Sequence, residues 1–343
     1  MPSVPRLRTP AESLSSSVRT PTALTIGNFD SVHIGHQTIL QRARGLVGVD
    51  GRVIAATFWP HPMSVLAPDR APREIEPIDQ RKQRLMAGGA DEVVLLEPSP
   101  DLLAMTPESF VDRMIDEHEP TVVVEGTDFH FGARRAGNVT VLEELCRLQG
   151  VSVEVVRPVV TSLTDQCEVV ASSTMTRWLL ENGRVRDAAF VLGRMHELVG
   201  TVVQGDQLGR TIGCPTVNLK TESMLPADGV YAGVAVLPDG SEAIAAINIG
   251  ARPTVQGIDR RAEAHLLNFD GSAWSLPDAL DEYGWACTIK LMAWVRDEVK
   301  FDSIETMMGQ IWRDVDKIRG IVTRFVGPTA HPRSSEPIPS NHV

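Results

Sequence analysis

Five short runs of apolar, largely β-branched residues recur through the first half of the chain, interleaved with stretches of helical spacing. No other feature constrains the fold as strongly. The runs are Ala23 to Ile26, Val53 to Phe58, Glu92 to Leu96, Thr121 to Val124 and Val151 to Val156. Helical periodicity marks Gln37 to Leu46, Glu108 to Asp116 and Val139 to Leu148. Strands that are apolar throughout are buried on both faces, so the alternation predicts an α/β domain, a parallel sheet covered by helices on both sides. Such sheets bind ligands beyond the carboxyl ends of their strands.

After Arg194 the pattern changes to short alternating segments separated by turn signals at Gly205-Asp206, Asp228-Gly229, Pro238-Asp239-Gly240 and Asn268-Phe269-Asp270-Gly271. This predicts a second, antiparallel domain, a small β-barrel. In the last amphipathic segment, Ser303 to Val322, residues Ile304, Met307, Met308, Ile311, Val315 and Ile318 fall at helical spacing and would pack on that barrel. A length of 343 residues also favours two domains over one. The expected division is a disordered leader over 1–22, an α/β domain over 23–190, a barrel domain over 191–326 and a disordered tail over 327–343.

Composition narrows the classes of function. No apolar run approaches the roughly 20 residues of a membrane helix, and residues 1–22 lack the apolar stretch of a secretory signal. A cytoplasmic protein without a membrane partner is expected. Cys146, Cys167, Cys214 and Cys287 lie far apart and form neither a disulfide framework nor a zinc motif. A net charge of -11 opposes a phosphate-tracking surface, so nucleic acid is not an expected partner. The oligomeric state is not readable, and a weak homo-oligomer is left open.

The first segment that carries chemistry is Thr25-Ile26-Gly27-Asn28-Phe29-Asp30-Ser31-Val32-His33-Ile34-Gly35-His36, which runs from a buried strand through a tight loop into a helix. Two histidines three apart at a helix start share one face, and the helix dipole and free backbone N–H groups join them in facing an anion. That arrangement suits a triphosphate, with donors for charge that develops as an α-phosphorus is attacked. It looks like the marker of a Rossmann-like nucleotidyltransferase. Further on, Ser172-Ser173-Thr174-Met175-Thr176-Arg177 opens another helix. Its hydroxyls can cap that helix while Arg177 reaches a phosphate, or the segment is a cap beside an exposed arginine. Phe58 to Pro62 ends the second strand, with aromatics either for a planar ligand or for the core, and with His61 as ligand contact or turn residue. Asp128, after the fourth strand, either holds a ribose or a base amine or caps a turn.

In the second half, Gly205, Gly209 and Gly213 surround Arg210 and lead into Cys214-Pro215-Thr216-Val217-Asn218. A Gly-rich loop can wrap phosphates, and Thr216 with Asn218 can offer oxygen ligands to Mg²⁺. The segment lacks Gly-Lys-Ser/Thr and is not a Walker motif; a Gly-rich hairpin is the competing reading. In Arg261 to Phe269, Glu263 and His265 share one strand face and Ala262 and Ala264 the other. Glu263 is a candidate general base if it reaches the site, and otherwise a solvated strand residue.

Taken in order, these motifs resemble the bifunctional riboflavin kinase/FAD synthetases of bacteria over nearly the whole chain. The resemblance implies riboflavin, FMN and ATP as small-molecule partners and Mg²⁺ as cofactor. It implies that His33 and His36 act on the ATP phosphates in a site that includes Gly27, Phe29, Asp30, Gly35, Asp128, Ser173, Thr174 and Arg177, with flavin near Phe58, Pro60 and His61. In the barrel it implies ATP at Gly205, Gly209, Arg210, Gly213 and Pro215, Mg²⁺ at Thr216 and Asn218, Glu263 as base, and flavin near Arg296. The chain departs from the family's pattern at Ser31, Ile34, Met175, Thr176, His196, Cys214 and Val217. None of these removes a reactive group, and Ser31 would weaken its loop only if that position needs a positive φ. Two other readings stand beside this one: a divergent paralogue with one active domain, the kinase being retained, or acting on a flavin analogue, and a non-catalytic flavin-binding regulator. Joint retention of His33, His36, Thr216, Asn218 and Glu263 argues against the last, because a pure binder has no use for a base and metal ligands.

Overall fold

The computed structural model describes residues 20–205, 214–254, 257–272, 274–278 and 280–326. Its first domain is built on β1 (Thr22–Gly27), β2 (Arg52–Phe58), β3 (Glu92–Leu96) and β4 (Val122–Gly126). A short ribbon of β5 (His130–Phe131) and β6 (Gly137–Asn138) follows, then β7 (Ser152–Val156) and a second ribbon of β8 (Val160–Ser162) and β9 (Glu168–Val170). The main sheet is parallel with order β3-β2-β1-β4-β7. Strand order therefore reverses between β1 and β4, where a doubly wound sheet opens its ligand crevice.

The helices are α1 (Ile34–Val47), α2 (Pro62–Leu66), α3 (Ile78–Ala87), α4 (Pro100–Leu103), α5 (Pro107–His118), α6 (Val139–Leu148), α7 (Ser173–Glu181) and α8 (Val185–Leu192). Alternate strand residues feed two separate cores, as period-two geometry dictates. Ala23, Val53, Ala55 and Val124 meet Leu40 and Ala43 of α1 and Leu85 of α3. Leu24, Ile26, Ile54 and Val123 meet Phe110 and Met114 of α5 and Leu142 of α6. Thr106, Asn138 and Ser172 cap α5, α6 and α7 with their side-chain oxygens.

At the reversal the sheet splays. β1 pairs with β2 along its whole length but with β4 only at Ala23 and Leu24. Beyond them the Ile26 N–H donates instead to the Glu125 carboxyl at 2.6 Å. Glu125 is buried, and desolvation pushes its pKa well above the usual carboxylate range.

The second domain is a closed antiparallel barrel of β10 (His196–Val203), β11 (Thr216–Thr221), β12 (Gly229–Val236), β13 (Glu242–Thr254), β14 (Gly257–Leu267) and β15 (Ala286–Arg296). Inside lie Leu198, Leu219, Tyr231, Ile247, Ala262, Ala264 and Ile289. Outside, Val230, Val234, Ile244 and Leu267 pack against Val315, Ile318 and Val322 of α9 (Ile304–Val326). Leu179, Leu180, Val185, Ala188 and Val191 of α7 and α8 belong to the barrel's interior cluster rather than to either sheet core.

The expected α/β domain, barrel and final helix are all present. Two details differ. The leader expected over 1–22 reaches into ordered chain, because Thr22 already belongs to β1 and its N–H bonds to Thr121; residues 1–19, like the expected tail over 327–343, lie outside the described residues. Ile304, expected on the packed face, is 57% exposed because α9 docks through its later turns. Ile318 is fully buried in that docking surface, so Ile318→Ala is expected to cost about 2–5 kcal/mol. Urea unfolding checks this, and a cost near zero would mean that α9 is not held by its apolar stripe.

Candidate active sites

The loop between β1 and α1 is locally unfavourable. Phe29, Ser31 and Val32 take φ of 46°, 75° and 38°, in the left-handed region that L-residues avoid. Three sets of contacts hold it there. The Asp30 carboxylate, 2% exposed, forms ion pairs with Arg177 and, at 3.4 Å, with Arg81, and accepts the Ile75 N–H at 3.1 Å. Arg194 and Gln37 donate to the Ser31 and Val32 carbonyls. Arg81 also donates to the Asn28 carbonyl at 3.0 Å and the Phe58 carbonyl at 3.3 Å, joining the ends of β1 and β2. Ser31 does need a positive φ.

The loop delivers His33 to the N-cap of α1, where its side chain makes no capping bond. The first helical bond runs from the Gln37 N–H to the His33 carbonyl at 3.0 Å. The N–H groups of the preceding turn, Ile34 to His36, therefore have no partner within the helix. His33 and His36 stack at 3.7 Å between ring centroids, and the Phe29 ring meets His36 edge-on with centroids 5.0 Å apart. Nδ1 of each ring is buried without a partner. Burial, then the Arg194 charge, lowers the His33 pKa to about 4. Burial, then His33, Arg81 and Arg194, holds His36 well below the usual range. The site thus offers two neutral imidazoles and an uncapped helix start at the splayed strand ends.

The other expected residues of this site converge on it in different ways. Gly27 ends β1 over the Phe29 ring, and Gly35 lies in the first turn of α1. Ser173 Oγ donates to the Asp30 carbonyl at 2.6 Å, Thr174 stands exposed, and Arg177 donates to the Arg73 carbonyl at 2.7 Å as well as pairing with Asp30. His61 Nδ1 accepts the Met63 N–H at 3.1 Å, a turn role, yet Arg177 lies close enough to help burial lower its pKa. Phe58 is partly in the core, whereas Trp59 and Pro60 are exposed. Asp128 is exposed beyond β4, across the opening from α1. Asp30 and Phe29, expected to contact ATP, are each 2% exposed and support the loop from below. Sequence reasoning missed Arg81, Arg194, Glu76 and Glu125; only Glu125 left a trace, as a carboxylate closing an apolar strand.

In the barrel, Asn218 of β11 sits opposite Glu263 of β14, and Glu263 opposite Asn248 of β13; Thr216 sits opposite His265. Their neighbours Leu219, Ala262 and Ala264 fill the interior, so Thr216, Asn218, Glu263 and His265 form a polar group on the outer face. His265 Nδ1 bonds the Pro215 carbonyl at 2.8 Å, and its ring lies 6.3 Å from Trp312 of α9. Asn218 is 8% exposed and its Oδ1 has no partner among the described residues. Gly205 packs on that amide so closely that a Cβ would come within 2.1 Å of Nδ2. A cavity of about 140 Å³ adjoins Pro215 and Thr216, lined also by Trp274, Tyr283 and Trp285. Arg296 is drawn toward α9, bonding Asp314 at 2.8 Å with its guanidinium over Phe301. Gly209, Arg210 and Gly213 lie outside the described residues.

Comparison with known proteins accords with this division. Residues 15–174 match the FAD synthetase family model and residues 192–322 the riboflavin kinase model. The bifunctional riboflavin kinase/FMN adenylyltransferase of Escherichia coli (strain K12) is 34% identical over 312 residues, covering 88% of this chain and 93% of that one. The chain belongs to this family. The bifunctional riboflavin kinase/FMN adenylyltransferases of Pseudomonas fluorescens and Bacillus subtilis are 35% and 30% identical, over 90% and 85% of this chain and 94% and 89% of theirs. A crystal structure described as a macrolide-efflux protein from Streptococcus pneumoniae superimposes with a TM-score of 0.75 at 26% identity, covering 88% of this chain and 94% of that one. Among the described residues no helix is long and apolar enough to cross a membrane. In this chain, α7 from Met175 onward and all but the last residue of α8 fall between the two matched models, in the stretch where the domains share a core.

The histidine pair makes a pH prediction. A folded pKa of about 4 against the ordinary 6.5 means that His33 binds fewer protons folded than unfolded across that window, so its contribution lowers stability as pH falls from 6.5 to about 4. Histidine ¹⁵N NMR at pH 5.5 should show a neutral His33 ring; an imidazolium there would contradict the desolvated site.

Proposed function

We propose that the barrel face phosphorylates riboflavin to FMN and that the crevice between β1 and β4 adenylylates FMN to FAD. What carries the reading is that the chain holds two separate sites, an uncapped helix start with stacked neutral imidazoles and an outward Asn218–Glu263 pair, each within the matching family domain.

At the barrel, Glu263 takes the proton of the ribityl 5′-hydroxyl as that oxygen attacks the γ-phosphorus, and ADP leaves. The step depends mainly on alignment and charge neutralisation. The cavity bounded by Trp274, Tyr283 and Trp285 suits a purine, placing the phosphates toward Thr216. The exposed first turns of α9 with Ile304, and Arg296 over Phe301, offer surface for the isoalloxazine. The buried, unpartnered Asn218 Oδ1 and the Thr216 hydroxyl are hard oxygen donors, which fit Mg²⁺. Bound there, Mg²⁺ would neutralise the phosphate charge.

At the crevice, an FMN phosphate oxygen attacks the α-phosphorus of ATP and pyrophosphate leaves. His33 and His36 each donate one N–H to the developing charge, beside the N–H groups that open α1. Arg177, with Ser173 and Thr174, closes the phosphate side, and Asp128 holds the ribose or the base amine from across the opening. Phe58, Pro60 and His61 bound the flavin side. The cytoplasm, where riboflavin and ATP meet, is the proposed location.

The test is incubation with riboflavin, ATP and Mg²⁺, followed by chromatography of the three flavins. Both FMN and FAD should appear. Glu263→Gln should lower FMN formation by about 10²–10⁴-fold while FAD still forms from supplied FMN. His33→Ala should do the reverse, losing about 10²–10³-fold in FAD formation. Formation of FMN by Glu263→Gln at the wild-type rate would refute the base assignment.

A further inference from the structure

Arg194 follows the C-cap of α8 and stands between the two domains, yet its guanidinium turns back into the loop that precedes the paired histidines. Nη2 donates to the Ser31 carbonyl at 2.6 Å, and Nη1 donates at 3.2 Å to both the Val32 and the Leu192 carbonyls. Gln37 Nε2 donates to the same Val32 and Leu192 carbonyls, at 2.8 and 2.9 Å. The loop residues so held are the ones with φ of 75° and 38°. Rotation of either peptide toward ordinary geometry would swing its carbonyl away from these donors and move His33. Gly193, with φ of 70°, lets the end of α8 touch the start of α1; a Cβ there would lie 2.9 Å from Ile34 Cγ2.

The same Nη2 is linked through a chain of charges to the first barrel strand. Glu76, 3% exposed, lies 3.3 Å from Arg194 and 2.6 Å from Arg84. Arg84 in turn pairs at 2.6 Å with Glu197 of β10. Both ends of this chain of charges are fixed, one by the histidine loop and the other by the first barrel strand.

We infer that Arg194 is a positioning residue for adenylyl transfer: it locks the Ser31 and Val32 carbonyls so that His33 stacks on His36 and the opening N–H groups of α1 face the crevice. The inference rests on the adenylyltransferase reading of that crevice. Arg194 acts through the loop, and the barrel supports it through Glu76, Arg84 and Glu197. Removing its charge also changes the field at His33, since Arg194 and Arg81 are the cations that face the two rings.

The test uses the full chain with Arg194→Met and Arg194→Lys. Each is assayed for FAD from supplied FMN and for FMN from riboflavin, and histidine ¹⁵N NMR follows His33 and His36. Arg194→Met should lower kcat for FAD formation by about 10- to 100-fold with KM for ATP changed less than about threefold. Its kinase kcat/KM should stay near the wild-type value, and its His33 titration should move up from about 4 toward 6.5. Arg194→Lys keeps the cation, so it should hold the His33 titration low and recover part of the rate. Backbone ¹⁵N shifts of Ser31 to His36, which change if the loop is released, decide the clamp even if the wild-type chain makes no FAD, which would sink the adenylyltransferase reading separately. Wild-type FAD kinetics together with an unmoved His33 titration in Arg194→Met would overturn the inference, and so would equal loss of both activities with a lowered Tm, which marks a purely architectural residue.

Discussion

The first domain is organised around a helix start that its own N-cap side chain leaves uncapped. His33 occupies the cap position of α1 but turns its ring to His36 instead of to the helix, and the loop before it bends through three left-handed residues. Conformations of that kind cost on the order of 1–3 kcal/mol each. Hydrogen bonds to charged groups contribute about 1.5–3 kcal/mol each, so the bonds from Arg194 to Ser31 and Val32 are of the same order as the strain they offset. Asp30 does the same from below, with Arg177 and Arg81 as partners. A cluster of buried charges that would add little as a stability device has a clear purpose as the rigid seat of a loop whose donors must face outward.

The barrel solves its own problem by separating the two sides of its wall. Alternation along β11 and β14 sends Leu219, Ala262 and Ala264 inward and Asn218, Glu263 and His265 outward. The interior is apolar and the outer face mixed, with α9 covering the part of that face that is apolar. Departures from the family pattern at Cys214 and Val217 accordingly fall on packing positions, Cys214 being 5% exposed and Val217 against the interior cluster. His196, another departure, is satisfied by the Met224 carbonyl at 2.7 Å.

Much of this was legible in the sequence because it is local. β3 and α6 match the expected spans residue for residue, since an unbroken β-branched run and an amphipathic ten-residue period leave few alternatives. The pairing of Glu263 with His265 on one face follows from strand geometry alone. Arg81, Glu76 and Arg194 gave no such signal. A buried arginine on α3 looks like any residue of a polar helix until tertiary contacts show that it binds the Asn28 and Phe58 carbonyls. The ion pairs of Asp30 gave no signal for the same reason: its place beside the histidines in sequence says nothing about which way its carboxylate turns.

The stretch from Ser173 to Leu192 belongs to the first domain by connectivity, since it opens with the Ser173–Arg177 motif, and to the second by packing, since Leu179, Leu180, Val185, Ala188 and Val191 fill the barrel's interior cluster. Sequence and contact therefore draw the border in different places. Anyone dividing the protein into halves meets a choice with no neutral answer. A cut before α7 strips the crevice between β1 and β4 of Arg177, and a cut after α8 leaves the barrel without the helices that share its core and the first half with an apolar overhang. Fusion of the two units in one polypeptide is thus written into the packing, because the helices that join them serve both.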